Sequence, residues 1–265
     1  MLRVFLITGS SRGLGHALAQ AALDAGDYVV ATSRKLEDLS FNNTTSTNYL
    51  PLKLDVTSTS DIYTAFQSGL SKFGRIDVVI NNAAFGLIGP LETLTDEQVR
   101  NQFDVNFFPV VTITRLAVKT MREQSPSGGV VIQITSVGGL LGFNMVSAMC
   151  ASKFAIEGFT DAVRMELKPE WNIKIMSVLP GHLETEAHTK SMEFGALVEE
   201  TKIYDHMDGR AWVKSLDGQK GLDPGVVAKE VVEWSKREDV PNRMVVGANE
   251  MVLGIRNHFT PHRVP

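Results

Sequence analysis

One cysteine, Cys150, stands in a chain of 265 residues, which excludes an intramolecular disulfide and any zinc site built on a cysteine cluster. That suits a reducing compartment, and the cytoplasm is the expected location. No apolar run approaches the roughly 18 residues of a membrane helix, so no membrane span is predicted. Positive charge is not in excess either: 26 Lys and Arg face 30 Asp and Glu, for a net charge of −4. Without a basic face, neither nucleic acid nor an anionic membrane is an expected partner. The N-terminus, MLRVFLITG, enters a strand directly and predicts no secretory signal. Nothing predicts a metal site. Tyrosine is sparse, with Tyr28, Tyr49, Tyr63 and Tyr204 making up the whole set.

What is present reads as one large α/β domain over residues 1–265, with no internal repeat. Strands are predicted at Leu2–Thr8, Tyr28–Ser33, Leu50–Leu54, Ile76–Ile80, Gly129–Thr135, Ile173–Leu179 and Arg243–Gly247. Helices are predicted from His16 to about Gly26, Ser60 to Phe73, Asp96 to Arg122 with an interruption at Pro109, Met145 to Leu167, and Asp223 to Lys236. This alternation predicts a doubly wound Rossmann-type parallel sheet of about seven strands with helices on both faces. The looser text from His182 to Leu222 follows the carboxyl end of a strand, where open sheets bind ligands, and residues 183–222 are expected to form a substrate lid.

Thr8–Gly15, TGSSRGLG, lies between the first strand and the first helix. Gly9 permits the tight turn, and Gly13 and Gly15, with Ser11, Arg12 and Leu14 between them, let backbone approach a pyrophosphate at the positive helix end. The second strand ends at Arg34 rather than at an acid. A carboxylate there would accept from a ribose 2′-hydroxyl, whereas Arg34 with Arg12 suits a 2′-phosphate and favours NADP(H). Asp55 either accepts from an adenine amino group or holds its turn. Asn82 and Ala83, after the fourth strand, offer small groups on which a ribose could pack. Asn106 lies just before the break that Pro109 imposes.

Together Thr8–Gly15, Asn81–Ala84, Asn106, Ser136, Lys153 and Pro180-Gly181 resemble the short-chain dehydrogenase/reductase family over nearly the whole chain. The resemblance implies a single Rossmann domain, a nicotinamide cofactor, hydride exchange with a carbonyl or alcohol, and a homodimer or homotetramer built through the long helices. It assigns Asn106 to a proton-relay water, Ser136 to the substrate oxygen and Lys153 to the cofactor ribose. It extends the cofactor contacts to Pro180, Gly181, Leu183 and Thr185. Two departures stand out. Ala84 replaces the glycine of the family's NNAG, and Met149 occupies the place of the catalytic tyrosine of YxxxK, thirteen residues after Ser136. A thioether has no proton to give.

Three readings of Met149 follow. The chain reduces an apolar carbonyl, with tyrosine-dependent proton transfer lost or redirected; or it reduces an imine or iminium ion, which needs no acid on gaining hydride; or it binds NADPH without catalysis. Of the other candidate acids, Cys150 reads as packing, while His182 and His188 sit in the lid. Arg164 and Glu166 are expected at a surface or interface. Phe85, Leu87 and Phe143, with Met192, Phe194, Leu197, Tyr204, Met207 and Trp212, predict an apolar pocket for a fairly large substrate.

Overall fold

The computed structural model describes residues 2–185, 191–197, 204, 206–216 and 221–247. Seven strands form one sheet: β1 (Val4–Ile7), β2 (Tyr28–Ser33), β3 (Tyr49–Lys53), β4 (Val78–Asn81), β6 (Gly129–Ile134), β7 (Ile173–Pro180) and β9 (Arg243–Val246). Their order is β3-β2-β1-β4-β6-β7-β9, and every neighbouring pair is parallel. The expected doubly wound Rossmann sheet is the observed one.

The strands are near-continuous apolar runs, as burial on both faces requires. VFLI of β1 is wholly buried. Phe5 and Ile7 point into a core layer with Leu14, Leu18 and Ala22 of α1 (Gly13–Asp24), and Val4 and Leu6 into the opposite layer, against Ile62 and Phe66 of α2 (Thr59–Phe73). Full burial of each such Leu, Ile or Phe stabilises the fold by about 1.5–3 kcal/mol, so alternation along β1 fastens helices to both sides at once. Ser58 caps α2 by accepting from the Asp61 amide at 3.2 Å.

The helical text after Asp96 divides into α3 (Asp96–Asn106) and α4 (Phe108–Glu123). The break falls at Phe107, two residues before the proline, because Pro109 suits the first turn of α4 and has no N–H to give to the carbonyl of Val105. The helix expected from Met145 instead begins later, as α5 (Ser147–Glu166). Met145 has φ 61°, a left-handed conformation that no α-helix accommodates.

Periodicity did not predict the small parallel ladder of β5 (Gly86–Ile88) and β8 (Met192–Phe194). Three-residue strands are too short for an alternating pattern to show. The ladder ties Met192–Phe194 to the segment that follows β4. After it come α6 (Gly209–Leu216) and α7 (Pro224–Trp234), the latter capped by Asp223. No helix among the described residues is long and apolar enough to cross a membrane.

Candidate active site

β1 ends at the turn that opens α1, at the point where the strand order reverses between β1 and β4. Gly9 holds φ 67°, and a Cβ on it would lie 3.0 Å from Ala83 Cα. Gly15 is needed for a different reason: its Cβ would lie 2.2 Å from the Gly9 carbonyl oxygen and 2.3 Å from Asn82 Nδ2. Its bare backbone lets α1 settle on the turn. Asn82 completes the arrangement, donating from Nδ2 to the carbonyls of Thr8 at 2.9 Å and Gly9 at 3.0 Å. The Thr8 hydroxyl accepts from the amides of Asn82 and Ala83. The first turn of α1 carries no acidic residue, leaving its positive end open to an anion.

A cleft of about 670 Å³ runs from this turn across the carboxyl ends of the strands. Gly9, Ser11, Arg12, Gly13, Leu14 and Gly15 line it, as do Ser33, Arg34 and Asp55. Asn82, Ala83, Lys153, Pro180, Leu183 and Thr185 are also among the lining residues. Arg12 and Arg34 are exposed, and among the described residues neither forms an ion pair. Asp55 Oδ1 accepts from the Thr57 amide and hydroxyl at 2.9 and 2.7 Å, so it does hold its turn while also facing the cleft. Thr185 lies over Gly13, where a Cβ would be 3.7 Å from the threonine methyl. Gly181 stands apart from the cleft lining, its amide donating to the Val246 carbonyl at 2.8 Å in the sheet.

Asn106 is fully enclosed, and its side chain acts as a substitute strand. It accepts from the Phe85 amide at 3.1 Å and donates to the Phe85 carbonyl at 3.0 Å, while Gln102, one helical turn earlier, accepts from the Leu87 amide and donates to the same Phe85 carbonyl. The two amides thereby satisfy the backbone leading into β5, and Asn106 also donates to Ser152 Oγ at 3.3 Å. Ser152 in turn donates to the Met149 carbonyl at 2.7 Å, anchoring the first turn of α5.

Ser136, delivered by β6, accepts from the Gly138 amide at 3.0 Å and makes a long 3.4 Å contact to the Pro180 carbonyl. A Cβ on Gly138 would lie 3.4 Å from Ser136 Oγ and 3.7 Å from Met149 Cε, so the serine and the methionine face one another across that glycine. Lys153 donates to the Ile134 carbonyl at 2.9 Å. Burial lowers its pKa to about 8, against an opposing pull from Glu157. Asn106, Ser136, Met149 and Lys153 are thus gathered around the start of α5.

Met149 packs with Met192, Phe194, Met207 and Trp212 against buried Ile88, Met145, Val146, Cys150 and Val213. Phe85 lines the cleft. Leu87, expected beside it, is instead a core residue packed with Leu94 and Ala148. Phe143 is exposed. Cys150 is buried, which pushes its thiol pKa up. His182 packs against Gly221, and His188 lies outside the described residues. The Tyr204 hydroxyl bonds Glu92, a contact that raises its pKa. Arg164 is an intramolecular tie rather than a free surface residue, donating to the carbonyls of Ile175 and Asn242 and pairing with Asp161. Sequence reasoning missed Gly86, Glu157 and Glu193. No group of His, Cys, Asp and Glu among the described residues could hold a metal ion.

A parallel sheet in this order, with a glycine turn at its switch point, defines a Rossmann-type dinucleotide-binding protein. Residues 3–194 match the family model described as short chain dehydrogenase. The chain therefore belongs to the short-chain dehydrogenase family of nicotinamide-dependent oxidoreductases. It is 36% identical over 254 residues to an uncharacterized oxidoreductase of Schizosaccharomyces pombe, covering 96% of this chain and 85% of that one. It is 32% identical over 256 residues to a 3-ketodihydrosphingosine reductase of Bacteroides thetaiotaomicron, covering 95% and 90%. Among solved structures, a short-chain dehydrogenase from Streptomyces avermitilis superposes with a TM-score of 0.84 at 31% identity, covering 97% and 94%.

Proposed function

We propose that this chain is an NADP(H)-dependent oxidoreductase acting on an apolar carbonyl substrate, with tyrosine-dependent proton transfer lost or replaced at Met149. The observation that carries this reading is one cleft lined by the glycine turn, by Arg12 and Arg34, which form no ion pair among the described residues, and by Lys153, on the same helix as a thioether that faces Ser136 across Gly138.

The residues fit the cofactor. The Gly9 turn has no room for a Cβ, the end of α1 lacks a first-turn acid, and Arg34 stands where an acid would repel a 2′-phosphate. Bound NADP(H) would supply or accept hydride. Gly13, Leu14 and Gly15 would hold the pyrophosphate through amides at the start of α1, with Gly9 and Ser11 in the turn. Arg34 and Arg12 would pair the 2′-phosphate, Asp55 would face the adenine, and Asn82 and Ala83 would pack on a ribose. Lys153 keeps two ammonium N–H groups beyond the one given to Ile134, and these suit ribose hydroxyls. Pro180, Leu183 and Thr185 would cover the cofactor from the lid side. Ser136 would release its long contact to Pro180 and donate to the substrate oxygen. Asn106 holds Phe85 and the first turn of α5 in place, and Met149 adds apolar surface without a proton.

The Bacteroides relative is named as a reductase of 3-ketodihydrosphingosine, a keto compound, and Phe85 and Met192 supply apolar lining to the cleft here. A second reading, reduction of an imine or iminium ion, is favoured by Glu193. This residue lies on the cleft wall beside Met192, where a carboxylate suits a cationic substrate. In the same proposal residues 183–222 act as the lid of a single domain and the protein works in the cytoplasm. Exposed Phe108, Phe154 and Met165 on α4 and α5 suit the interface of a homodimer or homotetramer. Fluorescence titration with NADPH and NADH tests the cofactor assignment. NADPH should bind at least about tenfold more tightly, a difference of about 1.4 kcal/mol, and equal or reversed affinities would defeat it.

A further inference from the structure

We propose that Glu157 is a positioning residue for Lys153: a buried carboxylate one helical turn away whose charge holds the lysine as an ammonium ion, itself anchored by Arg243 of β9. The inference rests on the cofactor reading above only for its consequence, since the charge state of Lys153 belongs to the chain alone.

Glu157 is 4% exposed and Lys153 6%. A lone carboxylate is rarely buried to this degree without a partner, because desolvation costs several kcal/mol. Arg243 meets part of that need: its Nε donates to Glu157 Oε2 at 2.7 Å, and its other branch reaches Asp161 at 2.5 Å. Glu157 Oε1 is buried without a hydrogen-bond partner among the described residues. Its charge is therefore incompletely neutralised inside the protein, where interactions are weakly screened. Helical spacing of four residues places Lys153 on the same face of α5. Gly139 closes the turn from Ser136 onto this face: a Cβ there would lie 3.2 Å both from Glu157 Cγ and from the Lys153 carbonyl oxygen.

The remaining surroundings of Lys153 offer little competition. β6 presents the neutral Ile134 carbonyl, and from α3 the neutral amide of Asn106 reaches the adjacent Ser152. The charged residues Asp96, Arg100 and Asp104 of α3 line a separate hollow with Phe108. On β7, Lys174 turns away to the Glu238 carbonyl. Along the cleft, Arg12, Arg34, Asp55 and Glu193 are the other charged groups. Asp161 is already shared between Arg164 and Arg243. Burial depresses the lysine's affinity for its proton, and Glu157 is the charged neighbour that opposes the effect.

A purely architectural role, in which the Glu157–Arg243 pair only pins β9 to α5, predicts that removing either partner has the same kind of effect. Positioning by charge predicts opposite effects. The test is titration of Lys153 in the full chain with ¹³C-labelled lysine, its Cε signal assigned by its loss in K153M, with and without NADPH. E157Q should move the Lys153 midpoint below its value of about 8. R243Q, which frees the carboxylate's field, should move it up, each by about half a pH unit or more. Should E157Q fail to fold, R243Q decides alone. An unchanged midpoint, or shifts in the same direction in both variants, overturns the proposal. Failure of NADPH to bind wild-type protein would instead count against the cofactor reading and leave this titration intact.

Discussion

The sulfur atoms of Met149 and Met192 converge on Gly86: a Cβ there would lie 3.4 Å from the first and 2.4 Å from the second. Gly86 is also the residue that pairs with Met192 across the small ladder. A glycine in β5 thus lets Met192 of β8 and Met149 of α5 share one apolar surface. Thioethers are adaptable fillers of such space.

Replacing Gly86 with alanine should break this contact. The new methyl meets Met192 at a distance no packed atom tolerates, and overpacking of this kind costs about 1–3 kcal/mol. We expect a lower Tm and, since β8 lies in the segment proposed as the lid, weaker binding of apolar substrates with little change in NADPH affinity. Thermal melts and paired titrations would show it. An unaltered lid would leave both substrate and cofactor affinities unchanged.

Arg34→Glu should invert the cofactor preference. The variant sets a carboxylate where the 2′-phosphate is expected, exchanging attraction for repulsion. NADPH affinity should fall by about tenfold or more while NADH affinity holds or rises, as fluorescence titration would register. Equal losses for both cofactors would place Arg34 outside the phosphate site.

Lys153 should leave a mark on stability as well. Its pKa in the folded chain, about 8, is below the ordinary 10.5, so between these values the unfolded chain binds more protons than the folded one. Stability linked to this group therefore rises with pH across that window and is at its lowest below about 8. Relative to K153M, wild-type protein should gain stability between about pH 8 and 10, measured by denaturant unfolding at each pH. A flat difference would mean that the lysine is not desolvated.

Much of this site was legible in the sequence because its chemistry is local. Thr8–Gly15 announces a turn through residues adjacent in the chain, and the positive φ of Gly9 is what that tight turn foretold; the packing of Gly15 on Gly9 and Asn82 was not foreseen. Arg34 could be read because it directly follows a strand, and Met149 because it falls a fixed distance after Ser136 and before Lys153. What escaped depends on contacts between distant segments. The pairing of Gly86 with Met192 spans a hundred residues and leaves no period. Glu157 reads as one more polar helical residue until Arg243 arrives from the last strand. Leu87 looked like pocket lining because hydrophobicity does not distinguish a cleft wall from the core behind it. Met145 carries no sign of its left-handed backbone, since nothing in the residue type favours it.

On the proposed function, the cofactor cleft adjoins Met149, a residue with no proton to donate. The most direct measurement compares NADPH oxidation by wild-type protein and Met149→Tyr with one apolar ketone, alongside NADPH binding. Positioned acid–base groups contribute roughly 10²–10⁴-fold, so the tyrosine variant should turn over faster by a factor in that range at unchanged NADPH affinity. Fast ketone reduction by the wild-type chain that the tyrosine fails to improve would contradict the account.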